Sequence, residues 1–203
     1  MKTSLALLTL FFFLLTTNCS ADQSTESKED LAQLTKAAEQ NNAEAQDTLG
    51  IMYFYGQGVP ANYTTALKWF RQSAAQNNAD AKFNLGTLYS FGHGVKADPV
   101  LAREWYEKAA IQGHTWAQYN LGNIYNYGAG TPVNFEKARF WYGKAAAQNN
   151  EKAQYCLGMI YYEGSGTAKD VDKAILLLKQ SAENNYQKAQ DKLREIYSSQ
   201  SKK

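Results

Sequence analysis

Few side chains in this 203-residue chain could carry a covalent or metal-centred reaction. The two histidines, His93 and His114, stand in a glycine-rich turn and at a junction, with no H-E-x-x-H and no cysteine pair, so no zinc ligand set is expected. Ser199-Gln200-Ser201-Lys202 has the spacing of a nucleophilic S-x-x-K, but it lies in a polar tail without S-D-N or K-T-G partners and reads as chance. Cys156 has no positioned histidine in sequence and reads as a buried, inert thiol. The glycine pairs do not extend to a phosphate-binding motif. No cofactor and no catalytic residue is expected.

The segments that must position these residues repeat. Glycine, each time preceded by leucine, stands at 50, 86, 122 and 158, a spacing of 36 residues. Four copies align without a gap, 42–77, 78–113, 114–149 and 150–185. Each is read as a helix, a turn at a glycine pair such as Gly92-His93-Gly94, and a second helix capped by Asn62, Asp98, Asn134 or Asp170. Ala45, Leu49, Gly50, Met52 and Tyr53 share one face of the first helix, as do their equivalents in later copies. A mid-helix glycine costs about 1 kcal/mol relative to alanine, so four at one position require close helix approach in return. The second helices present Ala66, Trp69 and Ala74 and their equivalents, with Leu177 at the tryptophan position of copy four. Residues 29–41 and 186–197 read as half-units that cap the array, 22–28 and 198–203 as disordered.

The N-terminus pairs Lys2 with the apolar run Leu5 to Leu15, followed by small and polar residues. That is the pattern of a signal peptide over 1–21, with cleavage before Asp22. The alternative is cleavage before Cys19 with lipidation of its thiol, which would leave a lipoprotein. Either product is periplasmic or secreted. No later apolar run reaches transmembrane length. After either cut Cys156 is the one cysteine left with a free thiol, so no internal disulfide is expected. With 21 Lys and Arg against 19 Asp and Glu, charge gives no reason to expect nucleic acid as a partner.

The frame A-x-x-x-L-G-x-x-Y-x-x-G-x-G, then Asp or Asn, then A-x-x-W, resembles the Sel-1-like repeat, a longer relative of the tetratricopeptide repeat. Copy two carries it through Ala81, Leu85, Gly86, Tyr89, Gly92, Gly94, Asp98, Ala102 and Trp105. The resemblance implies an all-α, right-handed α-α superhelix, a solenoid that binds other proteins without catalysis. In the cysteine-rich branch of the family, whose members include β-lactam binders, a disulfide lies inside each repeat. Here Tyr53 and Ala75 stand where that resemblance would place cysteines, which counts against a β-lactam-binding role.

First helices line the concave side of such an array, so the stripe opposite the repeat glycine is the expected groove. The candidates are Asp47, Phe83, Thr87, Trp116, Tyr119, Asn123, Asn126, Tyr155, Met159 and Tyr162. Aromatic rings supply rigid contact area, and the two asparagines would hydrogen-bond an extended peptide. The aromatics beside the turn, Tyr55, Phe91 and Tyr127, are expected to pack inward. The groove's expected occupant is a peptide or protein of the envelope or of a host. A glycan is the alternative that the aromatic stripe suggests.

Overall fold

The computed structural model describes residues 29–200, which fold entirely as helices and turns. The signal peptide and Cys19 lie outside these residues. The chain divides into two compact units between Gln76 and Asn77.

In the first unit, α1 (29–39) precedes the helix pair α2 (Ala43–Tyr55) and α3 (Tyr63–Ala75). Ala38, Ala45 and Leu49 form a small core, with Leu31, Leu34, Met52 and Trp69 packed around it. In the second unit the pairs are α4 (Ala79–Phe91) with α5 (Pro99–Ile111), α6 (Thr115–Tyr127) with α7 (Phe135–Ala147), and α8 (Glu151–Glu163) with α9 (Val171–Glu183). Successive pairs join through α5 against α6 and α7 against α8, and α9 packs on α10 (Gln187–Gln200).

Local chemistry sets these boundaries. Asn62, Asp98, Asn134 and Asp170 each accept a backbone N–H of the following first turn through the side-chain oxygen. The first helices are capped the same way by Asn42, Asn78 and Asn150, and by the imidazole of His114 in copy three. Gly128 and Gly130 take φ of 75° and 68°, the left-handed conformation that ends α6 and turns the chain toward α7. Asn77, Asn149 and Asn185 carry the same left-handed backbone after the second helices.

The repeat glycines mark the closest helix approach. A Cβ on Gly86 would lie 2.6 Å from the ring of Tyr106, and one on Gly50 or Gly122 would meet Phe70 or Tyr142 closer still. The tryptophans of the second helices are half-buried beside this contact. The next residue along, Phe70, Tyr106, Tyr142 or Leu178, fills the space that glycine leaves.

Glutamines stitch the repeats together. Gln46, Gln118, Gln154 and Gln190 donate to the carbonyl eight residues earlier, at 2.9–3.3 Å. Each of the first three also accepts from a side chain 30 residues later, Gln76, Gln148 or Asn184. Copy two carries Lys82 at this position, and its ammonium donates to Gln112 Oε1 at 2.9 Å and to Asn77 Oδ1. Buried polar groups are costly unless paired; here the bond to the earlier carbonyl ties each repeat to the unit before it, and the 30-residue pairing joins the two ends of one repeat.

At the C-terminus the helix runs past the expected end at 197. Ser198 and Ser199 hydroxyls bond back to the carbonyls of Glu195 and Ile196, which carries α10 to Gln200.

Candidate functional site

In the second unit the stripe opposite the repeat glycines is carried by α4, α6 and α8. Trp116, at the start of α6, is 42% exposed and meets Tyr119 edge-on, with ring centroids 6.1 Å apart. Tyr119 lies 6.1 Å from Tyr142, whose hydroxyl donates to Asn123 Oδ1 at 2.7 Å. Tyr155, from α8, packs edge-on against Tyr186 at 5.3 Å. Burial raises the hydroxyl pKa of Tyr119, Tyr142 and Tyr155, so all three act as neutral hydrogen-bonding groups.

At the C-terminal end of α6, Asn126, Tyr155 and Met159 border one cavity of about 380 Å³, completed by Phe135, Ile160 and Tyr127. Cys156 also borders it. Burial pushes the thiol up to about 11, which keeps it protonated and unreactive at neutral pH.

A second pocket, of about 500 Å³, opens where α6 and α8 begin, between Asp80, His114, Trp116, Asn150 and Glu151. His114 Nδ1 accepts from Ala117 N–H at 3.1 Å, so the proton sits on Nε2, 3.2 Å from Asp80. Its ring stacks on Phe83 at 4.4 Å. Burial lowers the imidazole pKa more strongly than Asp80 raises it.

Several expected groove residues have other work. Asp47 is 7% exposed and buried in the first unit, so its carboxylate offers nothing to a surface ligand. Thr87 shares its hydroxyl with Phe83 O and Tyr106 Oη. Asn123 already bonds ring hydroxyls, Tyr142 through Oδ1 and also Tyr119. Tyr162 packs against the C-terminal core around Leu178 and Leu193, with Lys169 and Lys192 near its ring.

The aromatics beside the turns correct another expectation. Tyr55, Phe91 and Tyr127 do not pack inward; they are 67–73% exposed. Each is the last residue of its helix, where the left-handed glycine turns the chain away and leaves nothing to cover the ring. Tyr127 thereby joins the cavity rim, as do Phe135 and Ser165, which single-helix periodicity could not place there.

Sel1 repeat models match residues 43–78, 79–114, 117–150 and 151–186. A solved protective antigen of uropathogenic Escherichia coli, described as displaying an SLR fold, is 38% identical over 82% of this chain and 36% of its own, with a TM-score of 0.79. A Sel1 repeat protein from Oxalobacter formigenes is 35% identical over 82% of this chain and 48% of its own, with a TM-score of 0.75. This chain therefore spans less than half the length of either structure. Helicobacter pylori cysteine rich protein B shares the fold at 22% identity, over 64% of this chain and 93% of its own, with a TM-score of 0.51. No curated protein sequence matches. Among the described residues no helix is long and apolar enough to cross a membrane. With four repeat matches covering most of the chain and helix pairs of the same architecture, the chain belongs to the Sel1 repeat family, all-α helical repeats that typically mediate protein–protein interaction.

Proposed function

We propose that this chain is a non-catalytic, exported scaffold that binds an extended peptide, or such a segment of a partner protein, across α6 and α8. The observation that carries this reading is the cavity where Asn126 of α6 meets Tyr155 and Met159 of α8. Phe135, Tyr155, Met159 and Ile160 give it apolar wall, and Asn126, Ser165 and Glu163 supply polar groups beside it, a mixture suited to a side-chain pocket next to a peptide backbone. The Trp116 and Tyr119 pair extends the surface toward the other end of α6 with rings held by their neighbours. Lys2 and the Leu5–Leu15 run support export, with lipidation at Cys19 as the anchored form. The E. coli relative's description as a protective antigen accords with an exported setting.

Selection of displayed random decapeptides on the immobilised full chain tests this. Enriched peptides should bind the wild type and lose at least about tenfold in affinity with Tyr155→Ala or Trp116→Ala. Enrichment of no peptide, together with binding to cell-wall glycan fragments, would replace this reading with the glycan one.

A further inference from the structure

We infer that the peptide this groove accepts carries a basic side chain and, about four to five residues away, an apolar one. The basic group sits between Asp80, Glu151 and the Trp116 ring, and the apolar group fills the cavity at Asn126. This rests on the peptide-binding reading and gives it a sequence requirement.

The pocket at the start of α6 and α8 holds two carboxylates. Among the described residues neither Asp80 nor Glu151 has a lysine or arginine within ion-pair distance. The partner of Asp80 is His114 Nε2–H, and that imidazole is neutral because Nδ1 is occupied as an acceptor. Both carboxylates are therefore available to a cationic ligand.

Trp116 shows which ligand fits. Its ring already holds the ammonium of Lys152, 5.3 Å from the centroid, so its face is presented to a cation. Asn150 adds a directional contact. It is 4% exposed, and its Oδ1 caps α8 at Ala153 N–H, 2.8 Å away. Asn150 borders the pocket, and its Nδ2, with no hydrogen-bond partner among the described residues, is available to donate to a carbonyl. A cation next to a backbone carbonyl describes a lysine or arginine residue in a peptide. A neutral sugar could hydrogen-bond the two carboxylates through its hydroxyls but would not neutralise their charge.

The spacing follows from α6 itself. Trp116 and Asn126 stand ten residues apart on one helix, about 15 Å along its axis at 1.5 Å per residue. An extended peptide advances about 3.3 Å per residue and covers that distance in about four to five.

The test uses decapeptides from the display selection, measured by fluorescence anisotropy against the wild type, the double variant Asp80→Asn with Glu151→Gln, and Lys152→Gln. Enriched sequences should place Lys or Arg four or five positions from Leu, Met or Phe. The double variant should weaken binding about tenfold and flatten its salt dependence, and Lys152→Gln, which frees the ring, should tighten it about threefold. Replacing the peptide's basic residue by norleucine should match the double variant without touching the protein's fold. Enriched peptides lacking the basic residue, or binding that tolerates the norleucine change, would overturn the inference while leaving peptide binding intact. A selection that enriches nothing would overturn both.

Discussion

The Tyr142 hydroxyl, on a fully buried side chain, donates to Asn123 Oδ1 at 2.7 Å and so ties the core of the third repeat to the half-buried face of α6. Tyr142→Phe removes that donor and leaves Asn123 Oδ1 unpaired. We expect a loss of about 1 kcal/mol in denaturant unfolding. Tyr119 should also become more mobile, visible as weaker near-ultraviolet circular dichroism.

The same ring makes Gly122 intolerant of a side chain. Gly122→Ala drives a Cβ into Tyr142, and we expect a net loss of about 2 kcal/mol even after the alanine's better helix propensity. At Gly158 the nearest atoms are Leu178 Cγ at 3.2 Å and Ala174 O at 3.3 Å, a contact too tight by only a few tenths of an ångström rather than an overlap like that at Gly122. Gly158→Ala should therefore fall within about 1 kcal/mol of wild type. Equal effects in thermal melts would contradict glycine's role as the close-approach residue.

His114 gives folding stability a pH dependence. Its folded pKa lies below the ordinary value, so below about pH 6.5 the unfolded chain binds the proton more readily than the folded one. Stability from this group is complete above that pH and declines as pH falls through 6. Protonation also removes the Nδ1 lone pair that caps α6. The melting temperature should drop by several degrees between pH 7 and 5.5. His114→Asn, which installs the cap used in the other three copies, should remove most of that drop.

Cys156 should alkylate slowly. With its thiol pushed up to about 11, iodoacetamide at pH 8 should modify it far more slowly than a free cysteine, and the rate should climb steeply toward pH 11. Because the thiol borders the cavity, a bound peptide should slow the reaction further.

Periodicity made the helices, their asparagine and aspartate caps and the repeat glycines legible in the sequence. It could not distinguish Trp105 from Tyr106 as the partner of Gly86, because both lie on the inner half of α5 and only the approach angle of α4 selects one. The glutamine stitches were also hidden, since Gln148 reaches Gln118 across 30 residues and neither side chain stands out in its own helix. Helical offset from the glycine put Asn126, Tyr155 and Met159 on one stripe, and in the structure all three border one cavity. The bond from Tyr142 to Asn123 was not legible, because Tyr142 comes from the second helix of the repeat, outside any single-helix pattern. Tyr127 was misjudged because helical offset says nothing about where the chain leaves the helix.

The central claim is that α6 and α8 present a peptide groove, and it is tested most directly by titrating a display-selected peptide into wild type and into Trp116→Ala with Tyr119→Ala, both checked for unchanged melting. The account predicts a loss of affinity of about two orders of magnitude in the double variant. An unchanged Kd at unchanged stability would contradict it.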